Sequence, residues 1–132
     1  MSDQKYNGWT NYETWNLALW IGNEEGSYNE WQERTREAYR NAEADATFTR
    51  KENARYALAK QLEDDTRENM PEVSGFYGDV LGAAISEVNW HEIAENWIDE
   101  IADEIDEEER EEEADDEDEQ EDEEEEDAND AP

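Results

Sequence analysis

The residues of this 132-residue chain best placed to do chemistry are carboxylates at helical spacing near its carboxyl end. Glu95, Asp99, Asp103 and Glu107 recur every four residues, and Glu92, Glu100, Glu104 and Glu108 form a neighbouring row, with Asp106 between them. Side chains at i and i+4 stand about 6 Å apart on a helix surface, of the order of the phosphate spacing along a nucleic-acid strand. A rigid rod of this kind can occupy a cleft built for DNA and bring charge steering without any base to read. That is the chemistry of a DNA mimic, and these nine residues are the partner-binding positions it predicts.

Catalytic arrangements are not apparent. His91 is the sole histidine, and the residues after His91-Glu92 supply no second imidazole for a zinc site. Its place in the first turn of a helix predicts a solvent-facing ring. Ser27, Ser74 and Ser86 lack a nucleophile-elbow context, the glycines form no phosphate cradle, and no calcium loop is visible. With 43 acids, paired carboxylates are expected by chance. The absence of cysteine rules out disulfides and thiolate ligands. The expectation is a non-enzyme with no cofactor and no metal.

A formal charge of −33 repels phosphate backbones and anionic lipid. Direct binding of nucleic acid or membrane is therefore not expected, and a basic DNA-binding protein is the natural partner. The longest apolar runs, Leu17 to Ile21 and Val80 to Ile85, are far short of the roughly 20 residues that span a bilayer. The amino terminus carries no signal-peptide pattern, which predicts a cytoplasmic protein.

Charge also divides the chain. Residues 107–132 hold nineteen acids, one base and no aromatic ring, which predicts a disordered acidic tail. Residues 1–106 hold all fourteen aromatic residues, six of them Trp, which predicts an aromatic-rich helical domain.

Four capping patterns mark helix starts: Thr10-Asn-Tyr-Glu13, Ser27-Tyr-Asn-Glu30, Thr49-Arg-Lys-Glu52 and Asn89-Trp-His-Glu92. Helices are expected over about 11–21 (ending at Gly22), 28–45, 50–69 (ending before Met70-Pro71) and 77–88. In the fourth, Val80, Leu81, Ala84, Ile85 and Val88 should point inward. The clearest pattern is the last: Trp90, Ile93, Ala94, Trp97, Ile98, Ile101, Ala102 and Ile105 keep three-and-four spacing through four turns. The fold class expected is all-α, a small bundle of four to five helices with a disordered carboxyl-terminal tail. Trp9 and Tyr6, ahead of the first helix, either staple over it or lie exposed. A homodimer closed by Trp9, Trp20 or Tyr77 stays open.

Residues 8–31, with the string Thr-Asn-Tyr-Glu-Thr-Trp-Asn, resemble the signature of a family of small proteins of phages, plasmids and other mobile elements with no assigned activity. Residues 78–95 are similar to its second block. The resemblance implies a mobile-element origin and hands over no catalytic residues. In composition the chain is also similar to the phage antirestriction DNA mimics, an analogy without aligned motifs. The function expected is a DNA-mimic inhibitor of a host defence or DNA-processing enzyme, such as a restriction complex, a CRISPR effector or a recombination nuclease. Two alternatives stand beside it: an acidic chaperone or adaptor for a basic protein, and a structural or regulatory protein of the mobile element whose acidity is incidental or a salt adaptation. Seven Arg against three Lys agrees with the last.

Overall fold

A computed structural model describes the backbone of residues 6–129 and the side chains of residues 6–116. Five helices follow one another: α1 (Tyr12–Asn23), α2 (Glu25–Asn41), α3 (Arg50–Glu68), α4 (Gly75–Ser86) and α5 (Trp90–Asn129). Among the described residues the only β-type pairing is an isolated bridge between Tyr6 and Trp9. It closes over Asn7 and Gly8, whose positive φ angles of 48° and 90° suit an Asn-Gly turn. Tyr6 meets Tyr12 edge to face and Trp15 at a tilt, with ring centroids 5.3 and 5.0 Å apart, so the segment staples the first helix. No described helix is long and apolar enough to cross a membrane.

The core lies where α5 meets α2 and α3. Ile93, Ala94, Ile98, Ala102 and Ile105 of α5 are fully or almost fully buried, as are Ala54, Leu58 and Leu62 of α3, and Trp31, Thr35, Ala38 and Tyr39 join from α2. Burying each large aliphatic side chain contributes about 1.5–3 kcal/mol, so the Trp-Ile stripe of α5 holds the bundle together. Thr35 sits in the apolar stripe without a stray polar atom, because its hydroxyl donates to the Trp31 carbonyl at 2.6 Å.

Helix ends show where local signals prevail and where they are overruled. Thr49 and Glu52 form the expected capping box, with both reciprocal bonds present. At α1 the cap is Asn11, whose Oδ1 accepts from the Thr14 N–H at 2.9 Å; Thr10, the expected cap, is occupied elsewhere. Ser27 is not a cap either. The second helix begins three residues earlier, at Glu25, and stops at Asn41 rather than near Asp45. Asp45 instead accepts from the N–H groups of Thr47 and Phe48 at 2.8 and 2.7 Å, and these bonds lower its pKa. That turn takes the chain from α2 into α3.

Two larger corrections follow. Helix α4 buries none of its residues: Leu81 and Ile85 are half-buried, whereas Val80 is exposed, and the buried Val88 lies beyond the helix end. The boundary expected after Asp106 is not a helix end. Residues 107–116 continue α5, because nothing in the Glu-rich run stops a helix and cations from α2 and α3 hold its first turn. Disorder expected further along, over 117–132, concerns residues whose side chains lie outside those described.

Candidate functional site

The nine expected carboxylates do not form one open surface. Glu92 faces α1, where its Oε1 accepts from the Thr10 N–H at 2.8 Å and its Oε2 from the Thr10 hydroxyl at 2.9 Å. Around this fork, the Asn89 N–H donates to the Thr14 hydroxyl at 2.9 Å, Asn11 Nδ2 donates to the Glu87 carbonyl at 2.7 Å, and Asn89 Oδ1 accepts from the Glu92 N–H at 3.1 Å. Thr14 is completely buried. Thr10, Asn11 and Thr14 come from the first signature block, and Glu87, Asn89 and Glu92 from the second. The two blocks are therefore two halves of one knot that fastens the start of α1 to the start of α5.

Cations of α2 and α3 claim most of the others. Arg55 lies 3.8 Å from Glu95, Lys51 is 3.7 Å from Asp99, Arg36 is 3.1 Å from Glu104 and Arg40 is 3.4 Å from Glu108. These exposed pairs contribute about 0–1 kcal/mol each to stability, but they cancel charge where a mimic would present it. Arg50 makes the strongest attachment. Its guanidinium takes both oxygens of Glu109 at 2.6 and 2.7 Å, reaches Asp106 Oδ1 at 3.3 Å, donates through Nε to the Tyr39 carbonyl at 3.1 Å and lies 4.2 Å from the Tyr39 ring centroid. The Tyr39 hydroxyl donates to Asp106 at 2.7 Å. The electrostatics follow from this geometry: the bond to Glu109 raises the Arg50 pKa, the same bond lowers that of Glu109, and burial together with the bond to Asp106 pushes Tyr39 up to about 12. Glu109 was not among the expected site residues; its signal would have been Arg50, the first residue of α3, which sequence spacing does not connect to it.

Three of the nine remain. Glu100, Asp103 and Glu107 are exposed, lie on the outward side of α5 and have no ion-pair partner among the described residues. Glu111, four residues on, is exposed as well. Among the described residues, no group of three or more His, Asp or Glu side chains could hold a metal ion. His91 is exposed, as expected, with its ring edge-on to Tyr56 at 5.1 Å.

No curated protein and no solved structure matches the chain. Residues 2–115, which include both halves of the knot and the whole Arg50 clamp, match the family described as "Family of unknown function (DUF7249)", and the chain belongs to that family.

Proposed function

We propose that this protein is a non-catalytic DNA mimic that occupies the basic DNA-binding cleft of a host defence or DNA-processing enzyme in the cytoplasm, on behalf of a phage or other mobile element. The observation that carries the reading is the outward file Glu100–Asp103–Glu107, continued by Glu111, on a helix locked to the bundle by the Arg50 clamp. Locking matters because a mimic must hold its charges in a fixed array, whereas a loose polyanion carries no geometry. Helix α5 has 40 residues, about 60 Å at 1.5 Å per residue, comparable to a duplex of roughly 18 base pairs at 3.4 Å per step. Past Ile105 its described face carries almost nothing but carboxylates.

The test sets unpaired against paired acids. The triple variant E100Q/D103N/E107Q removes three free charges, and E95Q/D99N/E104Q removes three that face Arg55, Lys51 and Arg36. Mimicry expects the first to weaken capture of a DNA-binding enzyme at least about tenfold and to flatten its salt dependence, with a smaller effect from the second. Equal losses from both would mean that bulk charge alone matters, as for an acidic adaptor of basic proteins.

A further inference from the structure

Helix α4 wears its apolar side outward. Phe76 and Tyr77 are 74% and 75% exposed and Val80 is 51% exposed, while Ala83 is open to solvent and Ala84 half so. These five positions share one face of the helix, and the side turned towards α1 carries Leu81 and Ile85. Beside the face stand Trp20, 62% exposed, and Tyr12, 49% exposed. Between them lies a largely apolar recess of about 300 Å³ lined by Tyr12, Leu17, Trp20, Leu81, Ile85 and Val88, with Glu13 and Asn16 as its polar members.

We infer that this face is the contact surface for a second copy of the chain, with α4 packed antiparallel on its counterpart across a two-fold axis at Val80. Three observations commit the face to that occupant. The first is self-complementarity, which an isologous interface requires. With Val80 at the axis, the Phe76–Tyr77 end of one copy lies over the Ala83–Ala84 end of the other, so large rings meet methyls at both ends of the seam.

The second is charge. Residues 73–86 carry a single charged side chain, Asp79, and α1 carries only Glu13, in a chain that is 40% charged. Two copies of charge −33 repel one another over most approaches; a face with so few charges keeps that repulsion low, and depletion of charge at the centre is what protein interfaces share.

The third is area. At about 150–250 Å² per aromatic side chain, the exposed fractions of Tyr12, Trp20, Phe76 and Tyr77 leave on the order of 500 Å² of aromatic surface. Val73, Val80 and Leu19, 45%, 51% and 39% exposed, extend it towards the roughly 800 Å² that each partner gives to a standard interface.

The experiment is sedimentation equilibrium of the full chain over a micromolar concentration series, at physiological and several-fold higher ionic strength, where the Debye length falls to a few ångströms. The expected mass is twice the 15.5 kDa of one chain. V80E sets two carboxylates against each other at the axis and should raise the dimer dissociation constant at least about a hundredfold, with an unchanged circular dichroism spectrum because Val80 is exposed and lies outside the core. The chain has no cysteine, so V80C introduces its only thiol. It should cross-link to the dimer far faster than A57C, an exposed position on α3, and a mixture of F76C and A84C should form the mixed pair in preference to either like pair. A monomer at every salt and concentration would overturn the proposal, as would a dimer that V80E leaves intact or a mixture that prefers like pairs.

Discussion

Thr10 and Glu92 stand 82 positions apart in the chain, yet the backbone N–H and hydroxyl of the one fill both carboxylate oxygens of the other. This fork joins two short sequence blocks, one at the start of α1 and one at the start of α5. Each reads as a helix start, and each also supplies half of a long-range hydrogen-bond set. Glu92→Ala removes both acceptors and should lower stability by about 1–3 kcal/mol, read as a fall in thermal midpoint.

Thr14→Val tests the buried centre of the same knot. The replacement keeps the volume but leaves the Asn89 N–H without its acceptor. An unmet buried donor costs about 1–3 kcal/mol, and hydrogen exchange at the start of α5 should accelerate before that of the Ile98–Ile105 core.

The Tyr39–Arg50 clamp has a pH signature at both ends. Burial and Asp106 raise the Tyr39 pKa to about 12, above the value of about 10 for the unfolded chain. The folded state therefore holds that proton more tightly; the contribution to stability is intact below about pH 10 and disappears as pH rises through 12. Ultraviolet titration of tyrosinate should show a late component that Y39F removes. Glu109 runs the other way. Its pKa is lowered by Arg50, so its contribution is present above the unfolded value of about 4.3 and lost as pH falls through the folded one. Arg50→Met should abolish that acid-side loss and cost about 1–2 kcal/mol at neutral pH.

Two glycines of α4 separate close approach from mere flexibility. A Cβ at Gly78 would overlap the backbone carbonyl of Val73, whereas one at Gly82 meets open space. Gly78→Ala should displace the start of α4 and reduce helical circular dichroism. Gly82→Ala should stabilise the helix by about 0.5–1 kcal/mol.

What could be read in the sequence was whatever is repeated locally. The Trp90–Ile105 stripe places its residues on one face by spacing alone, and Thr49 with Glu52 completes a cap within four residues. The pattern at Thr10 misleads because Asn11 is an equally good cap and Thr10 has a better partner in Glu92. At Ser27 the helix simply begins earlier. Periodicity in α4 reveals an apolar face but not which way it turns, since that depends on what the bundle leaves to cover it. The carboxylate rows of α5 were legible as rows; that Arg36, Arg40, Arg50, Lys51 and Arg55 would claim most of them is a property of helices brought together from 40 to 70 positions away.

The most direct test of the central claim is displacement of captured proteins from the immobilised full chain, using lysate of the cells that carry it and two competitors of equal charge, a duplex of about 18 base pairs and polyglutamate. The account predicts that a small set of DNA-handling enzymes is retained, released by the duplex at concentrations where polyglutamate fails, and missing from E100Q/D103N/E107Q. Capture of many basic proteins that both polyanions release alike, and that the triple variant still retains, would contradict it.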